Sequence, residues 1–181
     1  MQDILTCAMG LDVHRDIIVA CLVKGAVDAE PEAETRTFST LIPEMQKLRD
    51  WVIESECRNI AMESTGIYWQ PIYEMLESCF DGEISILVVN ARHMKNVPGR
   101  KTDMKDAQWI ATLLRAGLLK GSFIPDKAFR ELRHLTRYRK SVVHDITAQK
   151  NRIDKFLQSS GFRFTAFLSD TFGASGRNII R

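Results

Sequence analysis

Cys7-Ala8-Met9-Gly10-Leu11-Asp12-Val13-His14 is an apolar run with one acid near its end, and Asp16-Ile17-Ile18-Val19-Ala20-Cys21-Leu22-Val23-Lys24 follows almost at once. Both runs have strand length, and the second is dense in β-branched residues, which suit a pleated surface. Only the residues around His14-Arg15 separate them, so they are expected to pair as a hairpin. This hairpin decides the fold, because whatever pairs with the other side of the first strand becomes a neighbour of Asp12.

A third strand is expected at Thr35 to Ser39, after an acidic loop from Asp28 to Glu34. Thr40 or Ser39 can cap a helix with Pro43 in its first turn, and Met45, Leu48, Trp51 and Val52 keep helical spacing to about Ser55. Asn59-Ile60-Ala61-Met62-Glu63 is a short fourth strand that again ends in an acid, before the turn Ser64-Thr65-Gly66. Ile67 to Phe80 reads as a helix that tolerates Pro71 in its opening turn, and Ile84 to Val89 as a buried strand. The order β-β-β-α-β-α-β-α predicts an α/β domain with a mixed five-stranded sheet and flanking helices. In such a sheet the first and fourth strands can lie parallel and adjacent, which makes neighbours of Asp12 and Glu63 at the edge where open α/β sheets bind ligands.

Pro98-Gly99-Arg100 leads into Lys101-Thr102-Asp103-Met104-Lys105-Asp106-Ala107, which opens an amphipathic helix from Asp106 to Leu114. Asp103 and Asp106 are three apart and share a helical face with Ile110, Leu113 and Gly117, so both are expected on the inward stripe. Two carboxylates about 4 Å apart repel by roughly 4 kcal/mol at an effective dielectric near 20. A cation between them removes that cost. The competing reading is helix capping, since acids in a first turn complement the macrodipole. Four acids with no clustered His or Cys suit hard divalent cations, Mg²⁺ or Mn²⁺, and two such ions would form a phosphoryl-transfer centre with Asp12 between them. His14, Arg15, Ser64, Thr65 and Lys105 adjoin these acids and read as local structure at strand ends and turns.

Composition is that of a soluble globular chain, with 45% hydrophobic and 27% charged residues in 181. No apolar run approaches the ~20 residues needed to span a bilayer, and Met1-Gln2-Asp3-Ile4 lacks a signal-peptide layout. Cys7, Cys21, Cys57 and Cys79 show no zinc spacing and read as buried reduced thiols, which fits a cytoplasmic protein. Trp51, Trp69 and Trp109 read as core or helix-packing residues. The net charge of +2 conceals an asymmetry. Residues 1–90 hold 6 Lys/Arg against 16 Asp/Glu, and residues 91–155 hold 16 against 6. That basic middle third is the footprint of a polyanion-binding surface, with Arg92, Lys95, Arg100, Lys101 and Lys105 beside the acid pair and Arg130, Arg133, Arg137, Arg139 and Lys140 beyond it. From Pro125 to Gly161 a single long helix is expected. Leu132, Leu135, Val142, Ile146, Ile153 and Phe156 fit the a and d positions of a heptad seam, with Arg139 and Gln149 as polar exceptions.

With Gly10-Leu11-Asp12-Val13-His14, Met62-Glu63-Ser64-Thr65-Gly66 and Lys101-Thr102-Asp103-Met104-Lys105-Asp106-Ala107 in order, the chain closely resembles the DEDD transposases of bacterial insertion sequences. The resemblance runs from Ala8 to Gly161. That group is related to the Piv-type DNA invertases, and its amino-terminal domain resembles the RuvC Holliday-junction resolvase, an RNase H-like fold. The likeness implies that Asp12, Glu63, Asp103 and Asp106 are the catalytic, metal-binding acids of a DNA transposase or recombinase acting at insertion-sequence ends. It further implies a structured guide RNA and a serine nucleophile from a carboxyl-terminal domain, with this chain as the amino-terminal part. The expected organisation is a RuvC-like catalytic domain over 1–122, a long basic coiled-coil helix over 123–161 that joins a homodimer or tetramer, and a linker or the start of the carboxyl-terminal domain over 162–181. A Holliday-junction-type endonuclease and a non-catalytic nucleic-acid-binding dimerisation module remain alternatives. An actin-like or sugar-kinase ATPase shares the opening Gly-x-Asp, but the 10 glycines form no phosphate-binding cluster.

Overall fold

The computed structural model describes residues 4–90, 94 and 105–180. The chain divides into two compact units, Met1–Ile124 and Pro125–Arg181. Among the described residues the first unit holds a five-stranded sheet of β1 (Cys7–Val13), β2 (Ile17–Lys24), β3 (Glu32–Ser39), β4 (Asn59–Glu63) and β5 (Ser85–Val89), in the order β3-β2-β1-β4-β5. The first three strands form an antiparallel meander, and β4 and β5 join it in parallel to β1. This is the mixed sheet expected from the element order.

Alternation along the central strands sorts side chains between two faces. Met9, Leu11 and Val13 of β1 and Ile60 and Met62 of β4 pack with Leu48, Trp51 and Val52 of α1 (Ile42–Glu54) and with Ile72 and Leu76 of α2 (Trp69–Phe80). On the opposite face Ala8 and Ala61 meet Trp109, Ile110, Leu113 and Leu114 of α3 (Asp106–Arg115), while Cys21 and Val23 of β2 meet Ala107 and Ala111. Small residues line that second face. A Cβ on Gly10 would overlap the Ala107 carbonyl oxygen and stand 2.5 Å from the Ala111 nitrogen, so the helix backbone lies directly on β1 because Gly10 has no side chain. The Ile4 and Leu5 N–H groups, just before β1, donate to the Arg115 carbonyl, while Ala107 meets Gly10, so α3 runs against β1 and its amino end arrives at the strand's carboxyl end. The other end of α3 is pinned by Arg115. This guanidinium is buried and donates to the carbonyls of Leu5 at 3.0 Å, Gly25 at 3.2 Å and Ala26 at 2.5 Å.

Four expectations need correction. The strand β3 begins at Glu32, inside the stretch read as an acidic loop, because its ladder with β2 continues to a pair that sets Lys24 opposite Glu32. α1 is preceded by Leu41 with no side-chain cap, and the Thr40 hydroxyl instead donates to the Arg15 carbonyl at 3.0 Å across to the β1–β2 turn. Asp106 is exposed, since the inward stripe of Ile110 and Leu113 outruns the sheet in the first turn of α3. Cys21 and Cys57 are buried and all four thiols are free, but Cys79, in the last turn of α2, is exposed.

In the second unit α4 (Lys127–Ser159) is about 50 Å long, at ~1.5 Å per residue. The Asp126 side chain accepts from the Phe129 N–H at 3.0 Å and starts it. Its apolar series Leu132, Leu135, Val142, Ile146, Ile153 and Phe156 is exposed. A 3₁₀ turn (Phe164–Ala166) and α5 (Ala174–Ile180) follow, within the stretch expected as a linker. No helix among the described residues is long and apolar enough to cross a membrane.

The contact at Gly10 predicts that Gly10→Ala lowers stability by about 1–3 kcal/mol or more, the usual cost of overpacking. Urea denaturation followed by circular dichroism measures it, and an unchanged midpoint would show that α3 does not rest on β1.

Candidate active site at the carboxyl end of the sheet

β1 and β4 are in parallel register, Gly10 with Ala61 and Leu11 with Met62. One step further along that register stand Asp12 and Glu63, and both share strand parity with the residues beneath α3. The amino end of α3, which begins with Asp106, comes to the same place from above. Two strands and one helix thus deliver three of the four acids to one edge of the sheet.

Electrostatics records that proximity. The Asp12 carboxyl lies above its ordinary value, first because burial strips its water, and further because the charges of Asp106 and Glu63 oppose its ionisation; His14 pulls the other way. The side chain is 16% exposed, and its Oδ2 is 3.0 Å from Nε2 of His14, which is 62% exposed. Since the folded value exceeds the unfolded one, ionising Asp12 costs the fold stability, and that stability is lost as pH rises through the two values. A cation beside Asp12 reverses this penalty.

Glu63 is half-buried at the end of β4, where the Ser64 N–H donates to the Val89 carbonyl at 2.9 Å and carries the pairing one residue past the strand. The Thr65 hydroxyl donates to Oε1 of Glu63 at 2.5 Å. Gly66, at φ +56°, then turns the chain toward α2 in a conformation that favours glycine. Lys105 is the exposed amino cap of α3 and offers no side-chain cap, and Asp106 occupies the first helical position. Capping in the strict sense is therefore not what Asp106 does, although its charge suits the positive end of the helix.

Asp103 lies outside the described residues, as do Arg92, Lys95, Arg100 and Lys101. Among the described residues no three His, Cys, Asp or Glu side chains close around a space that would hold an ion. The donor set nonetheless fits a hard divalent cation: half-buried carboxylates on adjacent strand ends, with Asp12 resisting its own charge. A cavity of about 480 Å³ lined by Val52, Glu56, Cys57, Arg58, Phe80 and Glu83 lies at the amino end of β4, at the far end of that strand from Glu63. Trp51 and Trp109 are core residues and Trp69 packs against the core, as expected. Of the basic residues on α4, Arg133, Arg137, Arg139 and Lys140 are exposed, whereas Arg130 is buried and donates from Nη1 to the Pro125 carbonyl at 2.7 Å.

The family model of the IS110-type DEDD transposases, described as "Transposase", matches residues 9–161. The chain belongs to that transposase family. Membership implies an enzyme that carries out phosphoryl transfer on DNA. No curated protein matches it. Among solved structures, RuvC of Thermus thermophilus is similar at 12% identity over 64% of this chain and 99% of its own, with a TM-score of 0.46. The same protein in complex with a Holliday junction substrate is similar at 12% identity over 65% and 100%, with a TM-score of 0.46. A fowlpox virus resolvase with Holliday junction DNA is similar at 7% identity over 61% and 96%, with a TM-score of 0.43.

The opposition between Asp106 and Asp12 gives a direct check on the geometry of this transposase domain. Asp106→Asn lowers the Asp12 carboxyl pKa toward its ordinary value, as read from the pH dependence of the side-chain carboxyl ¹³C shift without added metal. An unmoved titration would separate α3 from the end of β1.

Proposed function

We propose that this domain is the metal-dependent DNA-cleaving part of a transposase, with Asp12, Glu63, Asp103 and Asp106 as the acids that hold one or two Mg²⁺ or Mn²⁺ ions. The observation that carries the reading is geometric: the parallel register of β1 and β4 brings Asp12 and Glu63 to one sheet edge, where α3, resting on Gly10, begins with Asp106. Asp12, central among them, would contribute to both ions, with Glu63 on one side and the Asp103/Asp106 turn on the other. Bound there, such ions would supply charge stabilisation at a scissile phosphate and at its attacking and leaving oxygens. The chain's own part is to hold the carboxylates ionised and oriented and to draw the DNA backbone over them. A serine from a carboxyl-terminal domain, as the resemblance implies, would be the attacking group, and a structured RNA would select the DNA.

Calorimetric titration of the chain with Mg²⁺ tests the site. Binding heat is expected for the wild type and is lost in Asp12→Ala and in Asp106→Ala. Undiminished heats in both variants would remove these acids from the metal site.

Backbone contacts come from the basic residues. Lys105 is exposed next to Asp106, and Arg133, Arg137, Arg139 and Lys140 are exposed along α4, so these join Arg92, Lys95, Arg100 and Lys101 as the proposed phosphate contacts. Arg130 is better placed to pin the start of its helix. The uncovered a/d series of α4 supports association with a second copy of the chain as a coiled coil, in a dimer or tetramer.

Four phosphate contacts on α4 alone predict that affinity for duplex DNA falls about a hundredfold between about 50 and 200 mM salt. Fluorescence anisotropy measures this. A nearly flat response would remove α4 from the interface.

A further inference from the structure

The two acids at the strand ends share a feature that their neighbours in sequence supply. Asp12 is followed two residues later by His14, and Glu63 two residues later by Thr65. In both places the later side chain reaches back to one oxygen of the carboxylate: Nε2 of His14 to Oδ2 of Asp12 at 3.0 Å, and the Thr65 hydroxyl to Oε1 of Glu63 at 2.5 Å. An ionised carboxylate only accepts, so Nε2 of His14 is the donor there. Neither partner is held in place by burial. His14 and Thr65 are both exposed, so water could satisfy either one, yet each spends its donor on the acid.

We infer that Thr65 and His14 are positioning residues that fix the carboxylate planes of Glu63 and Asp12 for cation binding. The terminal torsions of Asp and Glu are broad and nearly two-fold, so an unanchored carboxylate turns over a wide arc. One hydrogen bond to one oxygen ends that freedom and leaves the other oxygen in a set direction for a cation. Metal-site carboxylates depend on such outer partners for their orientation. Thr65 has the further property of neutrality, since its hydroxyl orients Glu63 without bringing a positive charge that would compete with the ion. The inference rests on the metal reading proposed above and adds to it the residues that aim the ligands.

The test is Mn²⁺ uptake by the whole chain without DNA, with free Mn²⁺ followed by electron paramagnetic resonance at fixed pH. Wild type, Thr65→Val, Thr65→Ser, His14→Ala and Glu63→Gln are compared, with thermal melts on each. Thr65→Val removes the hydroxyl while keeping the shape and is expected to weaken Mn²⁺ binding about tenfold or more, as outer-partner losses do. His14→Ala weakens it comparably, and Thr65→Ser, which restores the donor, returns affinity to near wild type. Wild-type affinity in Thr65→Val, with Glu63→Gln still impaired, overturns the inference and leaves the metal reading standing. Equal losses in Thr65→Val and Thr65→Ser also overturn it, because the turn and not the hydroxyl would then be responsible. Glu63→Gln matching the wild type overturns the metal reading itself, and the inference with it.

Discussion

The approach of a helix backbone to a strand at Gly10 is the contact on which this domain depends. Sheet and helix faces are ordinarily held apart by their side chains, and here Ala8, Gly10, Ala61, Ala107 and Ala111 remove most of that spacing. The gain is closeness at one end. A helix packed at ordinary distance would carry its first turn well clear of the strand ends, whereas this one brings Asp106 within electrostatic reach of Asp12. Arg115 fixes the opposite end through three backbone carbonyls of the segments flanking β1 and β2. Those bonds are made with a charged donor in a buried setting, where they are strong when made and costly to break. The helix is therefore held at both ends, and what its first residue does follows from that.

The central strands were legible in the sequence because apolar content, β-branching and punctuation by turns agreed with one another. β4 runs from Asn59 to Glu63 as read, and α3 begins at Asp106 as read. The acids at strand ends were legible for the same reason, since each is the one charged residue closing an apolar run. What escaped was tertiary. Nothing local marks Gly10 as the place where a helix backbone touches down, and a lone glycine in a strand pattern says only that something approaches closely. Arg115 left a signal that went unused: it stands four residues after Ala111 on the buried stripe, where an arginine must find carbonyls. β3 hid behind its charges, because an edge strand exposed on both faces from Glu32 to Thr37, with only Phe38 buried, needs little apolar content.

The bonds to the acids from His14 and Thr65 lay in the same gap between local pattern and geometry. Residues two apart at a strand end point to the same side, so a donor two positions after a strand-end acid is within reach of it. Read as ordinary turn polarity, His14 and Thr65 look interchangeable with Arg15 and Ser64. The structure separates them by contact. His14 reaches Asp12 and Thr65 reaches Glu63, whereas Arg15 lies against Asp16 and the Ser64 N–H donates to the Val89 carbonyl.

Charge distribution then ties the site to its substrate. DNA presents an anionic backbone, and a sheet edge carrying Asp12, Glu63 and Asp106 repels it. Residues 1–90 as a whole carry a net excess of ten negative charges, so this repulsion is not confined to the site. The basic excess of residues 91–155 offsets it in total, but screening limits a lysine or arginine to roughly a Debye length, about 8 Å at physiological salt. Lys105, next to Asp106 in sequence, is within that range. Long-range attraction can bring a duplex to the protein, but only a positive charge seated among the acids can let a phosphate rest on them. On the proposed reading the divalent cation is therefore required for contact as well as for chemistry, and the acids that repel the substrate in its absence are the ones that recruit the ion that binds it.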